Sequence, residues 1–481
     1  MNTVAGIVAR NARARPDGIA FVEAATDHAM TWAEYDAASS QMAGTLREFE
    51  PGARVALQLP DGPGVHATML ACEKAGLVAV GIGARAGERE VAHLVERSGA
   101  RTLLRAPPPL TLAAEPYPLE ADDLWFLNST SGTTGLPKVV MHTQARWFAF
   151  HDLADRVAHF TPDDVFCSVL PAPFGFGLWT AHFSPAIAAA PCVVCERFDP
   201  AVVLRAIERY RVTVLAAVST QFVMMLNSSA IDEYDLSSLR IMFTGGEMVP
   251  YERAKEFEDR TGAYVLQFYG SNETGALSCT TPDDPQPKRL RTAGKVIPEM
   301  HVRLLDPATG HDVTTTGTPG VPAGKGPTLC LGYWDDQAAN DELFTADGWM
   351  RMGDLATIDA DGYLTVVGRT SDLIIRGGKN ISAAQVEDEV ASHPAIALCG
   401  AVAVPDATFG ERVCVFVEMR PGRAPITLDD LRAHLEQRGT GKELWPERLV
   451  VVDELPLASG GKVAKGELRA RAQSSDASGV T

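Results

Sequence analysis

From Arg54 onward, β-branched runs alternate with helical patterns, and this alternation constrains the fold more than any other feature of the chain. RVALQLP is followed by GVHATMLACEKAG, LVAVGIG by EREVAHLVERSGA, and RTLLRA closes the series. The same grammar resumes after Trp125 through VFCSVLP, PCVVCE, VTVLAAV, LRIMFTGG and AYVLQFYG, with helical stretches such as PAVVLRAIERYR between them. Strands joined through a helix lie parallel in one sheet, so the pattern predicts an α/β fold with mostly parallel, helix-covered sheets. In such sheets ligands gather where strands end.

Between Pro282 and Gly368 the texture changes to short strand-like pieces separated by Pro, Gly and Thr clusters such as DPATG and TTTGTPG. A β-rich module over about 282–368 is expected there, closing a large N-terminal domain over 1–370. The remainder, 371–481, reads as a small α+β C-terminal domain. It holds DLIIRGG, a helix opened by the S-x-x-Q capping box of Ser382 and Gln385, an apolar strand pair around ALCGAVAVP and RVCVFVEMR, and the helix TLDDLRAHLEQRG. A chain of 481 residues has ample material for several cores.

The formal charge of −18 repels a phosphate backbone and argues against nucleic acid as a partner. No run of about 18 apolar residues occurs, so no spanning helix and no membrane partner are expected, and the N-terminal stretch lacks the apolar core of a signal peptide. The eight cysteines are scattered, and a cytoplasmic location without a disulfide framework follows as the expectation. Cys192 and Cys195 form a CxxC, but PCVVCERF reads as a short apolar strand with no second ligand pair nearby in sequence.

Four segments carry chemistry. The first, NSTSGTTGLPKVVMH from Asn128 to His142, follows a strand-like WFL with hydroxyls and glycines and ends in Lys138. Glycines let consecutive N–H groups converge on an anion, and a lysine adds the charge that phosphate oxygens need. It is not the nucleotide P-loop, because Lys138 follows Pro137 and precedes Val139. The second, QFYGSNETG, sets Tyr269, a glycine turn and Glu273 at a strand end: the ring can stack on a flat ligand and the carboxylate can hold magnesium, or the pair is a core aromatic beside a solvated acid. The third comprises RMGDL and GRTSDLIIRGGKNIS, an acid and an arginine flanking the strand-like YLTVV. The fourth, PLASGGKVAKGELR, places Lys462 after two glycines near the C-terminus, which taken alone reads as a solvated charge.

These segments, in this order over roughly 330 residues, resemble the AMP-forming acyl-CoA synthetases of the adenylate-forming superfamily, which also contains carrier-loading adenylation domains and luciferase. MTWAEYDAASSQMAG, LACEKAGLVAV, SLRIMFTGGEMVP and GPTLCLGYWDD extend the likeness along nearly the whole chain. The resemblance implies a ligase that joins a carboxylic acid to ATP as acyl-AMP, releasing pyrophosphate, and then passes the acyl group to CoA. Carried over residue by residue, Thr130, Ser131, Gly132, Thr133 and Thr134 with Lys138 should hold the phosphates and Glu273 a Mg2+. Tyr269 should cover the adenine, bordered by Gly245, Gly246, Glu247 and Gln267. Asp354 and Arg369 should take the ribose hydroxyls, and Lys462 should neutralise charge where the carboxylate meets phosphorus.

The family's small domain is mobile and turns about a hinge that here falls on Ser371, after which Gly377, Gly378 and Lys379 would line a tunnel for CoA. The chain departs from the family pattern at Val139, where glycine is usual, at Asn272, where threonine is usual, at Val321 and at Met352. Val139 is expected to restrict the loop backbone, while Asn272 can still donate to phosphate. Phe174, Trp179, Phe222 and Met224 are expected to make an apolar acyl pocket, and GKNIS with GIGARAGERE is similar to ligases of cyclic or bulky acids. Two further readings use the same sites: a thioesterification-only ligase fed a preformed acyl-adenylate, and an acyl-AMP ligase that loads a carrier protein.

Overall fold

The computed structural model describes residues 3–130, 137–369, 372–406, 408–458 and 461–476. Among these residues, Arg54–Leu57, Val78–Gly81, Thr102–Leu104, Leu124–Ser129 and Val139–Thr143 form one five-stranded sheet, parallel except for its last pair. Val78–Gly81 is buried along its whole length, as expected of a strand covered on both faces. A nine-stranded sheet holds Ile19–Glu23, Phe166–Ser168, Cys192–Val194, Val214–Ala216, Ile241–Gly245 and Tyr264–Ser271 as a parallel block. Antiparallel additions complete it: Ala29–Thr31 at one edge, then Gly275–Cys279 and Lys295–Val296 at the other.

Local chemistry sets the connecting helices. Pro200 opens the helix Pro200–Tyr210 behind Asp199, whose carboxylate accepts from the N–H groups of Ala201 and Val202. The helix Pro63–Ala75 starts on proline and stops at Gly76 in the left-handed conformation. Cys192 and Cys195 are both buried, in and beside the strand that the sequence indicates.

The β-rich stretch forms as two small antiparallel sheets, His301–Leu305 with Val321–Lys325 and Met350–Arg351, and Asp354–Ile358 with Leu364–Arg369. Beyond it, Leu373–Arg376, Lys379–Ser382, Ile396–Asp406, Gly410–Met419 and Arg448–Val452 make a separate five-stranded sheet with its own core around Val386, Val415 and Leu435. Ser382 caps the helix Ala383–Ala391 by accepting from the Gln385 N–H at 3.3 Å. That is the Ser382 half of the expected capping box; among the described residues the Gln385 side chain makes no return bond to the Ser382 N–H. Among the described residues no helix is long and apolar enough to cross a membrane.

Candidate active site

The two large sheets present their strand ends to one region. Strands Ile241–Gly245 and Tyr264–Ser271 run parallel in register, Thr244 beside Gln267 and Gly245 beside Phe268. Their C-terminal ends therefore deliver Gly246 and Glu247 on one side and Tyr269, Asn272 and Glu273 on the other. The strands Leu124–Ser129 and Val139–Thr143 bring the neck of the phosphate loop. There the Thr130 N–H donates to the Lys138 carbonyl at 3.0 Å, and the Lys138 N–H donates to Thr130 Oγ1 at 3.2 Å. Ser131, Gly132, Thr133 and Thr134 lie outside the described residues, as does Ser371.

Tyr269, Asp354 and Arg369 converge. The Tyr269 hydroxyl donates to Asp354 Oδ2 at 2.9 Å, and Arg369 Nε donates to Asp354 Oδ1 at 3.0 Å across the pair that joins the two strands. Asp354 is buried, so its carboxylate needs both donors. Burial, then the neighbouring carboxylate, hold the Tyr269 phenol well above its ordinary pKa, so it stays a donor. Gln267 lies on the same strand with its amide held by the Arg289 carbonyl at 3.0 Å.

Lys462 reaches this region from the small domain. Its Nζ donates to the Gly246 carbonyl at 2.7 Å. Gly246 has φ of 81°, and a Cβ there would stand 2.7 Å from that same Nζ, so glycine serves both the turn and the approach. Burial pushes the Lys462 ammonium below the usual lysine pKa, with Glu247 pulling it back up. Burial likewise raises the Glu247 carboxyl against the pull of Lys462. The lysine that reads as solvated from its local sequence is thus a charge brought to a strand end.

Glu273 accepts from the Tyr333 hydroxyl at 2.7 Å, and Lys138 Nζ lies 4.8 Å from the centre of the Tyr333 ring. Tyr333 belongs to the GYW segment and links the acid to the loop lysine, a role that no local pattern in the sequence indicates. Lys138 also lies 3.9 Å from the exposed Glu342. A single carboxylate near a lysine suits magnesium arriving with the nucleotide, since that ion keeps water and phosphate among its ligands. Among the described residues no group of three His, Cys, Asp or Glu is assembled for a protein-only metal site.

Behind Glu273 lies a polar network. Arg146, His142 and Asn128 are all buried. Arg146 donates to His142 Nδ1 at 2.6 Å, to the Asn272 carbonyl at 3.0 Å and to the Thr328 carbonyl at 2.9 Å. Burial lowers the Arg146 pKa to about 10, which leaves it charged, and burial with that neighbouring charge keeps His142 neutral. Asn272, expected to face phosphate, donates instead to Asn128 Oδ1 at 2.7 Å. Val139, expected to restrict the loop, sits in a regular strand opposite Ser129 with its side chain buried. An extended conformation is the one a β-branched residue favours, so no glycine-like backbone is needed there.

The four expected acyl-pocket residues divide. Trp179 is buried in a cluster of rings with Phe150 at 4.8 Å, Phe243 at 4.9 Å, Phe268 at 5.5 Å and Phe176 at 5.8 Å between centroids. Phe222 belongs to a different core, edge-on to Phe257 at 5.8 Å. Phe174 and Met224 are half-buried. Gly377 and Gly378, both at positive φ, form the two-residue turn between Leu373–Arg376 and Lys379–Ser382, and Lys379 is exposed.

Comparison with known proteins agrees with this layout. The AMP-binding enzyme family matches residues 8–115 and 107–334, and the AMP-binding enzyme C-terminal domain matches 385–462. A feruloyl-CoA synthase from an Amycolatopsis species is 33% identical over 96% of this chain and 97% of its own length. A medium-chain fatty-acid–CoA ligase from Escherichia coli is 29% identical over 96% of this chain and 88% of its own. Among solved structures, an o-succinylbenzoate CoA synthetase from Bacillus subtilis in complex with its acyl-adenylate intermediate superposes with a TM-score of 0.83 at 26% identity, over 96% of this chain and 97% of that one. The strand-end constellation, the lysine carried in from the small domain and these matches along the whole chain lead to one conclusion: the chain belongs to the AMP-binding enzyme family of the adenylate-forming superfamily, as an AMP-forming acid–thiol ligase of the acyl-CoA synthetase type.

Proposed function

We propose that the protein is an ATP-dependent carboxylic acid:CoA ligase whose acid is cyclic or otherwise bulky, working in the cytoplasm. The observation that carries the reading is the meeting of Lys462 with the Gly246 carbonyl beside Glu247, at the strand ends that also carry Tyr269 and Glu273. The rings of Trp179, Phe150, Phe243 and Phe268 pack against one another in the core, so the bulky acid is supported by the likeness of the GKNIS and GIGARAGERE segments to ligases of such acids.

In the first half-reaction a carboxylate oxygen of the acid bonds to the α-phosphorus of ATP while the bond to the β-phosphate oxygen breaks and pyrophosphate leaves. Negative charge builds on the phosphoryl oxygens, and the Lys462 ammonium offsets it. Lys138 and the Thr130–Thr134 loop hold the leaving phosphates. Asp354 receives the ribose hydroxyls, oriented by Tyr269 and Arg369, and Tyr269 covers the base. Glu273, fixed by Tyr333, would hold the Mg2+ that accompanies ATP and shields its phosphate charge. In the second half-reaction the CoA sulfur bonds to the acyl carbon and the bond to the AMP oxygen breaks. The small domain turns about Ser371 between the two steps, which withdraws Lys462 and presents the Gly377–Gly378 turn and Lys379 to the arriving pantetheine.

A panel of linear, aryl and alicyclic carboxylic acids assayed with ATP, scoring pyrophosphate release and CoA-ester formation separately, tests the reading. Aryl or alicyclic acids should lead the panel in kcat/KM with both products in equal amounts. A preference for linear acids would refute the bulky substrate, and CoA ester formed solely from supplied acyl-adenylate would refute the two-step reaction.

A further inference from the structure

Asn272 stands one residue before the carboxylate that serves the nucleotide, yet its side chain turns away into the protein. Its Nδ2 donates to Asn128 Oδ1 at 2.7 Å, and Asn128 Nδ2 returns a bond to Asn272 Oδ1 at 3.3 Å while also donating to the Pro173 carbonyl at 3.0 Å. The same Asn128 oxygen accepts from His142 Nε2 at 2.7 Å. Because Arg146 fills His142 Nδ1 with a donor, the imidazole proton must sit on Nε2 and point at Asn128. Arg146 then closes the circuit on the Asn272 and Glu273 carbonyls, at 3.0 and 3.4 Å. Every donor direction in this ring is dictated by its neighbour, and Asn128, His142 and Arg146 are almost wholly out of water.

The ring has a location that matters. Asn128 lies on the strand Leu124–Ser129 that leads into the phosphate loop, and His142 lies on the returning strand Val139–Thr143. Asn272 and Glu273 lie at the end of the nine-stranded sheet. The ring is therefore a polar rivet between the two sheets, placed at the points from which Lys138 and Glu273 approach one ligand. We propose that Arg146, His142, Asn128 and Asn272 are positioning residues that fix the Glu273 turn against the phosphate loop, so that Asn272 acts through Asn128 and not as a phosphate ligand. This rests on the ligase reading above, in which Glu273 and Lys138 serve Mg-ATP. An amide at this position makes the two bonds through separate atoms, Nδ2 donating and Oδ1 accepting, and so matches the Asn128 amide group for group.

A double-mutant cycle on the full-length enzyme tests the rivet, with pyrophosphate release measured against Mg-ATP and against the acid. Asn128→Ala and Asn272→Ala should each lower kcat/KM for Mg-ATP roughly tenfold, the scale of one broken buried hydrogen bond, with KM for the acid kept within about twofold. The double variant should be no worse than the weaker single, because either change opens the same ring. Losses that multiply would show Asn272 acting without Asn128 and would overturn the proposal, as would an equal rise in KM for the acid. His142 supplies an arm that survives if an alanine variant misfolds. His142→Gln retains an amide donor and should stay within about threefold of wild type, whereas His142→Leu, of similar volume, should show the ATP-side loss. Equal behaviour of those two variants would also overturn the rivet. A wild-type enzyme that releases no pyrophosphate with any acid would refute the ligase reading itself, a result distinct from either failure of the rivet.

Discussion

His182 and His66 are buried side by side in the N-terminal core, with consequences for acid stability. Their rings stack at 5.6 Å, His66 lies on Phe21 at 4.8 Å, and His182 lies on Trp125 at 5.7 Å. His66 Nδ1 and His182 Nε2 are buried with no hydrogen-bond partner among the described residues. Protonating either would place a charge among aromatic rings, and burial accordingly pushes the His182 pKa down to about 3. An unfolded histidine titrates near 6.5. Below that pH the unfolded chain takes up a proton at this position that the folded chain refuses, so stability is full above about 6.5 and falls as the pH drops.

The loss is about 1.4 kcal/mol per pH unit, which integrates to about 2.7 kcal/mol between about pH 7.5 and pH 4.5. Carboxyls whose pKa is raised by burial, such as Asp61 at about 6, titrate with the opposite sign, so the effect is best read as a difference between two proteins. Urea unfolding followed by tryptophan fluorescence on wild type and His182→Gln supplies that difference. The stability of the variant relative to wild type should rise by about 2.7 kcal/mol from the higher to the lower pH, whatever its offset at neutral pH. An offset that stays constant with pH would mean that His182 titrates alike in both states and would refute the reasoning.

Gly378→Leu should slow CoA-ester formation from a supplied acyl-adenylate by at least roughly tenfold while pyrophosphate release stays nearly intact, measured as separate half-reactions; comparable losses in both would remove the turn from the CoA path. Tyr333→Phe leaves Glu273 without its donor and should raise KM for Mg-ATP roughly tenfold with little change for the acid, by initial-rate kinetics. Val139→Gly, which restores the residue usual in the family, should lower the thermal midpoint and bring no gain in adenylation, because it deletes a buried side chain from a strand at a cost of about 2 kcal/mol or more. A faster adenylating Val139→Gly enzyme would show that the valine does constrain the loop.

Much of the architecture was legible because parallel strands covered on both faces have a simple signature. Runs such as LVAVGIG and VTVLAAV hold little besides apolar residues, and the strands Val78–Gly81 and Val214–Ala216 are buried throughout. The candidate residues were legible where they fall near strand termini, Tyr269 and Glu273 around the end of Tyr264–Ser271 and Asp354 paired with Arg369 at the open end of their hairpin. Pairings across the fold were not. Asn128 and Asn272 are 144 positions apart, and nothing local tells an amide that faces phosphate from one that faces a second amide. Arg146 reads as an ordinary helix-start cation, because its partners are carbonyls and an imidazole from other segments. Composition also fails to say which core an aromatic enters, so Trp179 and Phe222 look alike in sequence and separate in the fold.

In the proposed mechanism Lys462, carried by the small domain, offsets charge in the first chemical step at the strand ends of the large one. Lys462→Ala, assayed for pyrophosphate release with acid and ATP and, separately, for CoA-ester formation from the preformed acyl-adenylate, tests this most directly. A loss of roughly 10² or more is expected in the first half-reaction with the second spared, because the ammonium acts at phosphorus and takes no part when sulfur attacks carbon. Equal losses in both half-reactions, or an unchanged first one, would contradict it.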